Sequence, residues 1–171
     1  ILEDDPYGLL RFEGQHLPPL IALDASRFPE NAEAGGYRRG NVIYSSTFSK
    51  TLAPGLRVAW TVCPPEVGQQ LVMAKQGADL HTNALAQAIA YEFMRRGWLP
   101  GQIERIRRTY LRRRNAMYEA IEAYFPEEVE HTHPQGGLFL WVVLPEEIDA
   151  VELLKVAAKR FQHRQARRRQ Q

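Results

Sequence analysis

Residues 45–60 read SSTFSKTLAPGLRVAW, and the fold turns on how this stretch is parsed. A β-branched and aromatic run, Val42 to Ser46 (VIYSS), leads into it, and a second, Val58 to Val62 (VAWTV), leads out. Both read as short buried strands bounded by polar turns. Between them stand small hydroxyls, one lysine, a Pro-Gly turn and an arginine. The chain has four lysines against eighteen arginines, so a lysine set among hydroxyls asks for a reason.

Lys50 directly follows a strand, and loops at strand ends carry most sites in α/β proteins. Thr47 and Ser49 flank it at minus three and minus one, and Arg57 lies just past the Pro-Gly turn. Hydroxyls and a guanidinium are the donors a phosphate needs. A lysine beside a bound phosphate has two readings. In a nucleotide site it neutralises phosphate, but the GxxxxGK[ST] loop of such sites is absent from the chain. In a pyridoxal-phosphate site the lysine forms a Schiff base with the aldehyde while its neighbours hold the phosphate.

The second reading requires an acid facing the pyridinium nitrogen. The chain opens with ILEDDPYG, in which Ile1 and Leu2 read as the end of a buried strand, with Asp4 and Tyr7 three residues apart at its end. A carboxylate keeps the ring nitrogen protonated, and a phenol beside the ring O3′ helps set the acidity of the imine. The plainer alternatives are a solvated Lys50 and an Asp-Asp-Pro turn capped by its aspartates. Both would have to hold at once, about forty residues apart, in the order the cofactor demands.

The 171 residues suffice for one ordinary domain, or for part of something larger, with a hydrophobic content of 44% and a charged content of 25%. The sequence contains no run of eighteen apolar residues and no basic-then-apolar leader at its start, so no membrane association is expected and the cytoplasm is the default. A single cysteine, Cys63, allows no internal disulfide and reads as a small buried side chain. The net charge of +2 hides an asymmetry: Lys155 to Gln171 hold seven basic residues and no acid, leaving fifteen basic against twenty acidic residues before them. The basic balance therefore belongs to the tail, not to a nucleic-acid-binding face.

Further along, Phe12 to Arg39 is rich in Pro, Gly, Asn and Glu and reads as loop with one helical turn. Helices are predicted from Glu66 to about Lys75 and from about Asn83 to Arg96. A longer one runs from about Gly101 to Phe125, where Ile103, Ile106, Tyr110, Met117, Ile121 and Tyr124 form one stripe. The arginines of that helix lie off the stripe with Glu104, Glu119 and Glu122 among them, as on a solvated face. VEHTH, a Pro-Gln-Gly-Gly turn, LFLWVVL and a helix from about Ile148 suit a small α+β unit. His131 and His133 alternate as on one strand face but have no near carboxylate or cysteine to complete a metal site.

EDDPYG with SSTFSKTLAPGLRVAW resembles the class I/II aminotransferases of pyridoxal-phosphate fold type I. Within them, the 2-aminoadipate and kynurenine (aromatic) aminotransferase-like subgroup is the most similar. KQGADLHTNALAQ and HPQGGLFLWVVLP resemble the same subgroup, so the likeness runs from Ile1 to about Ala158. The fold it implies is α/β. Residues 1–97 would be the C-terminal part of the large mixed-sheet, cofactor-binding domain, and 98–158 part of the small α+β C-terminal domain. Residues 159–171 would be a disordered basic tail.

The resemblance implies Lys50 as the Schiff-base and catalytic lysine, Asp4 as the partner of the pyridine nitrogen and Tyr7 as that of the phenolic oxygen. Thr47, standing where the family usually has Ser, would bind phosphate with Ser49 and Arg57. It implies transamination between an L-amino acid and a 2-oxo acid, with pyridoxal 5′-phosphate as cofactor. It also implies a homodimer in which residues 78–83, including His81, lie near the partner's site.

Other pieces that such a site needs would lie outside this chain. They are a phosphate-cradling helix N-terminus, a ring-stacking aromatic and an arginine for the substrate carboxylate. A fragment with weak cofactor affinity and little activity of its own is expected. Two other classes share the Lys50 set: an aminotransferase-like effector domain of a winged-helix transcription regulator, and a lyase or decarboxylase on the same fold.

Overall fold

The computed structural model describes residues 1–168, in two compact units. The first comprises Ile1–Arg114 and Gln135–Leu138. Its centre is a three-stranded sheet ordered β1 (Leu2–Asp4), β2 (Ile43–Thr47), β3 (Ala59–Val62). β1 is parallel to β2, with Asp4 opposite Ser45. β3 is antiparallel to β2, with Thr47 opposite Ala59. The two runs predicted as strands are strands, and the sheet is mixed, as a partial large domain requires. Ile1 and Leu2, expected to be buried, are 74% and 71% exposed, because β1 is the edge strand of this sheet and its outer faces are uncovered in this chain.

The core of the unit forms around the loop between β2 and β3. Phe48, Val58, Ala86 and Ala90 are buried together, with Leu52, Leu56, Trp60 and Leu99 packed against them. The Phe48 and Trp60 rings lie 4.7 Å apart. Burying a phenylalanine contributes about 2–3 kcal/mol, so Phe48 anchors the backbone from which Ser49 and Lys50 project. The small Ala86 and Ala90 belong to α4 (Ala84–Arg95) and let the helix approach closely. Asn83 caps that helix, its side chain accepting from the Ala86 amide at 3.0 Å.

The segment from Phe12 to Arg39 holds more structure than its composition predicts. Two short helices, α1 (Leu20–Ala25) and α2 (Pro29–Glu33), are bound by buried side chains rather than by local propensity. Tyr37 donates to the Asp24 carboxylate at 2.6 Å, and the Asn41 amide donates to the same oxygen at 2.7 Å. Asn31 accepts from the amides of Arg38 and Arg39 at 2.7 and 2.8 Å, and donates to the carbonyls of Ala25 and Arg39. Glu3 of β1 accepts from the first two amides of α1, at 2.8 and 3.0 Å. These partners lie up to 18 residues apart, which a local reading does not see.

α3 (Pro65–Ala78) leaves Leu71, Val72 and Met73 exposed. α5 (Trp98–Tyr124) starts three residues ahead of expectation. Gly97, at φ 70°, ends α4, and Pro100 falls in the first turn of α5, where its missing N–H costs nothing. Gly137 N–H donates to Leu10 O at 3.2 Å, and the amides of Phe12 and Glu13 donate to Gln135 O at 2.9 and 3.0 Å. Gly136 is required there, since a Cβ on it would meet the Arg11 Cα at 2.8 Å. Arg114, 8% exposed, pairs with both oxygens of Glu13, and Arg107 donates to Leu9 O at 2.8 Å. These bonds carry the first unit into α5 as far as Arg114, whereas the sequence suggests a boundary after Gly97.

The second unit comprises Asn115–Pro134 and the chain from Phe139 onward. In it β4 (Glu130–His131) pairs antiparallel with β5 (Val142–Val143), followed by α6 (Ala150–Arg168). Tyr118 donates to Thr132 O at 3.1 Å, and its ring stacks on His133 at 4.4 Å and tilts against His131 at 5.4 Å. The two histidines thus flank a tyrosine ring. α6 continues through the basic stretch where an unstructured tail is expected. Lys, Arg, Gln and Ala are good helix formers, and no Gly or Pro interrupts them. The rest of that tail, 169–171, lies outside the described residues.

The polar knot makes two predictions. Asn31→Ala strands buried donors and acceptors and is expected to cost about 3 kcal/mol in urea unfolding, with loss of hydrogen-exchange protection at the Arg38 and Arg39 amides. The Asp24 carboxyl is held below its ordinary 3.8, first by the Tyr37 hydroxyl and then by the Asn41 amide. Its contribution is full above pH 3.8 and is lost as the pH falls through the lower folded value. Tyr37 is raised above 10.0, first by burial and then by Asp24, so its contribution is lost as the pH rises through the higher folded value. The urea midpoint should fall on both sides of that window, and less steeply on both in Tyr37→Phe.

Candidate active site

Strand pairing assembles the site. Asp4 and Ser45 are register partners on adjacent parallel strands, and Thr47, two residues on, shares their face of the sheet. After β1 the chain turns through Pro6 and Tyr7 into a 3-10 turn, Gly8–Leu10, whose last residue is buried. After β2 it turns at Phe48. The Phe48 amide donates to Val58 O at 3.1 Å, and Phe48 O accepts from Leu52 and Ala53 at 2.8 and 3.1 Å. This closes a loop holding Ser49 and Lys50 at the strand end.

Lys50 and Tyr7 meet there, with Nζ 5.6 Å from the phenol ring centroid. Asp5, not Asp4, does the capping of the Asp-Asp-Pro turn, accepting from Gly8 N–H at 2.6 Å. Asp4 is left exposed, its carboxylate without a hydrogen-bond partner among the described residues.

The phosphate-type donors form a second group. Thr47 Oγ1 lies 3.0 Å from both Ser49 Oγ and Val58 O, and accepts from the Ser49 amide at 3.1 Å. One hydroxyl proton serves one acceptor at a time. When Thr47 gives its proton to Ser49, the Ser49 proton is available to an outside anion. Arg57 Nη1 reaches Ser49 Oγ at 3.3 Å and Pro54 O at 3.2 Å. Its backbone is left-handed, φ 55° and ψ 35°, following the 3-10 turn Pro54–Leu56. That conformation costs a non-glycine residue about 1 kcal/mol and returns the guanidinium toward the lysine loop. Two hydroxyls, an ammonium and an exposed guanidinium fit a phosphate group.

The structure thus brings Thr47, Ser49 and Arg57 into one bonded group, Lys50 onto Tyr7, and Asp4 onto the face of Thr47. Residues 78–83 stand apart: Lys75 pairs with Asp79, His81 Nδ1 lies 3.1 Å from Thr82 O, and Gln87 donates to Thr82 O. Sequence reasoning missed Tyr44. Its half-buried hydroxyl donates to Asp5 at 3.2 Å, and its acidity is weakened first by burial, with the charge of Asp5 adding to it. The signal was the second aspartate of EDDPYG, read only as a turn former.

The mixed sheet thus carries a lysine at a strand end, an exposed carboxylate on the face of Thr47 and a phosphate-type donor set, the makings of a phosphorylated-cofactor site. Residues 20–167 match the family model "Aminotransferase class I and II", and the chain belongs to that family. It is 43% identical over 92% of its length to the 2-aminoadipate transaminase of Thermus thermophilus, covering 37% of that protein. It is 41% identical, again over 92%, to aromatic-amino-acid aminotransferase 1 of Thermococcus litoralis, covering 34% of it. Among solved structures, it superposes on the α-aminoadipate aminotransferase LysN of Thermus thermophilus, complexed with N-(5′-phosphopyridoxyl)-L-leucine. The TM-score is 0.80 at 43% identity, over 92% of this chain and 38% of that one. The chain therefore spans about a third of the length of the curated relatives it matches, and its fold is part of the type I architecture.

Arg57→Gly separates backbone from side chain. It should raise stability by about 1 kcal/mol, because glycine takes the left-handed conformation freely. By calorimetric titration it should weaken binding of a phosphate monoester about ten- to a hundredfold.

Proposed function

We propose that the whole protein is a pyridoxal-phosphate-dependent aminotransferase, exchanging the amino group of an L-amino acid with a 2-oxo acid. The observation that carries this reading is the placement of Lys50 Nζ over the Tyr7 ring at 5.6 Å. That contact stands at the end of the sheet where Asp4 is exposed and Thr47, Ser49 and Arg57 are linked. The bound cofactor would supply an aldehyde and an electron-accepting ring.

The chain's own residues do the rest. Arg57, Ser49 and Thr47 would hold the phosphate beside Lys50. Asp4 would keep a proton on the ring nitrogen, and Tyr7 would donate to the phenolic oxygen. Lys50 Nζ would hold the aldehyde at rest and, when free, would be the base that takes the substrate α-proton. A homodimer in the cytoplasm belongs to the same proposal. Leu71, Val72, Met73 and Leu80 stand exposed, as apolar surface awaiting a cover. No helix among the described residues is long and apolar enough to cross a membrane.

In the whole protein, Lys50→Ala should remove the lysine-dependent visible absorption band of the cofactor and lower transamination by about a thousandfold or more. A band unchanged in that variant sinks the assignment. Recovery of ammonia or CO₂ in place of a 2-oxo acid with its paired amino acid product would replace transamination by elimination or decarboxylation.

A further inference from the structure

Asp5 uses every polar group it has. Its amide donates to Ser45 O at 2.8 Å, and its carbonyl accepts from the buried Ser46 hydroxyl at 2.7 Å. One carboxylate oxygen accepts from Gly8 N–H at 2.6 Å and the other from Tyr44 OH at 3.2 Å. Adjacent residues of a strand face opposite ways, so with Asp4 on the face of Ser45 and Thr47, Asp5 is turned toward Tyr44 and Ser46 on the reverse. Its four bonds tie the end of β1, the end of β2 and the first amide of the 3-10 turn into one rigid corner. Tyr7 lies inside that corner, two residues from Asp5 and one from Gly8, and its carbonyl accepts from the Leu10 amide at 2.7 Å. A Cβ on Gly8 would overlap the Asp5 carboxylate, so the turn admits no larger residue without displacing it.

We propose that Asp5 is a positioning residue for the cofactor site, fixing from behind the sheet the turn that sets Asp4 and Tyr7 relative to each other and to Lys50. This rests on the cofactor reading above. The charged and titratable groups around the corner are Asp4, Glu3, Tyr7, Tyr44 and Lys50. Glu3 is engaged with the amides of Leu20 and Ile21, and Tyr44 with Asp5 itself. Asp5 needs no contact with the cofactor to act. It governs whether the Tyr7 phenol stands where it can donate to the phenolic oxygen. A donated hydrogen bond favours the deprotonated form and so lowers the pH at which the cofactor's visible band titrates.

The test is that pH midpoint, measured in the whole protein loaded with pyridoxal 5′-phosphate. Both Asp5→Ala and Tyr7→Phe should raise it by about one unit, and Asp5→Ala should add nothing in a Tyr7→Phe background. Asp5→Asn, which keeps an acceptor for Gly8 N–H, should restore the midpoint to within a few tenths of a unit. In the cofactor-free protein, Asp5→Ala should speed hydrogen exchange at the Gly8 amide about tenfold or more. Should Asp5→Ala fail to fold, Gly8→Ala drives the same carboxylate off the turn and should shift the midpoint the same way. An unshifted midpoint in the folded variants, or an equal shift in the Tyr7→Phe background, overturns the role of Asp5. A wild-type band that does not depend on Lys50 overturns the cofactor reading instead.

Discussion

The site depends on one closure, the hydrogen bond from the Phe48 amide to Val58 O across the mouth of the 48–58 loop. On one side of it Phe48 is buried against Trp60, Ala86 and Ala90. On the other, Thr47 Oγ1 reaches the same Val58 carbonyl. The aromatic side chain supplies the binding energy and the backbone bond fixes the geometry. A flexible lysine stem is thereby delivered from a rigid base, with its terminal amine beside Tyr7. The Pro-Gly turn and the left-handed Arg57 then bring the chain back to the carbonyl where the loop began.

Much of this was legible in the sequence, for identifiable reasons. The strands before and after the loop announced themselves because β-branched and aromatic residues stood in short runs between turns. The grouping of Thr47, Ser49 and Arg57 around the Lys50 loop was legible because a phosphate-type donor set places its atoms close in sequence: hydroxyls at minus three and minus one of Lys50 and a guanidinium at plus seven. The polar order of α1 and α2 was not legible. Asp24, Asn31 and Tyr37 act through bonds to distant backbone groups, and composition alone makes such a segment look like loop. The start of α5, at Trp98 rather than near Gly101, was hidden for the opposite reason, the presence of Pro100. A helix breaker in the interior is neutral in the first turn, and only the position of Gly97 settles which applies.

The neighbouring aspartates show how burial divides labour between like residues. Asp5 faces Tyr44 and Gly8 and is saturated with donors, whereas Asp4 faces the other way and keeps its carboxylate exposed. Strand alternation alone makes one of them structural and the other available for chemistry. The same logic runs through the hydroxyls of β2: Ser46 is buried and bonded to Asp5 O, while Thr47 looks toward the loop.

Pro6 gains a meaning from this arrangement. The Asp5 amide closes the β1–β2 ladder by donating to Ser45 O. If the strands slid by one residue in the direction that advances β1, Pro6 would have to make that bond, and proline has no N–H to give. The slide would also turn Asp4 to the wrong side of the sheet. The proline therefore acts as a mechanical stop for strand registry, guarding the alignment of Asp4 with Ser45 and Thr47 through a missing hydrogen atom.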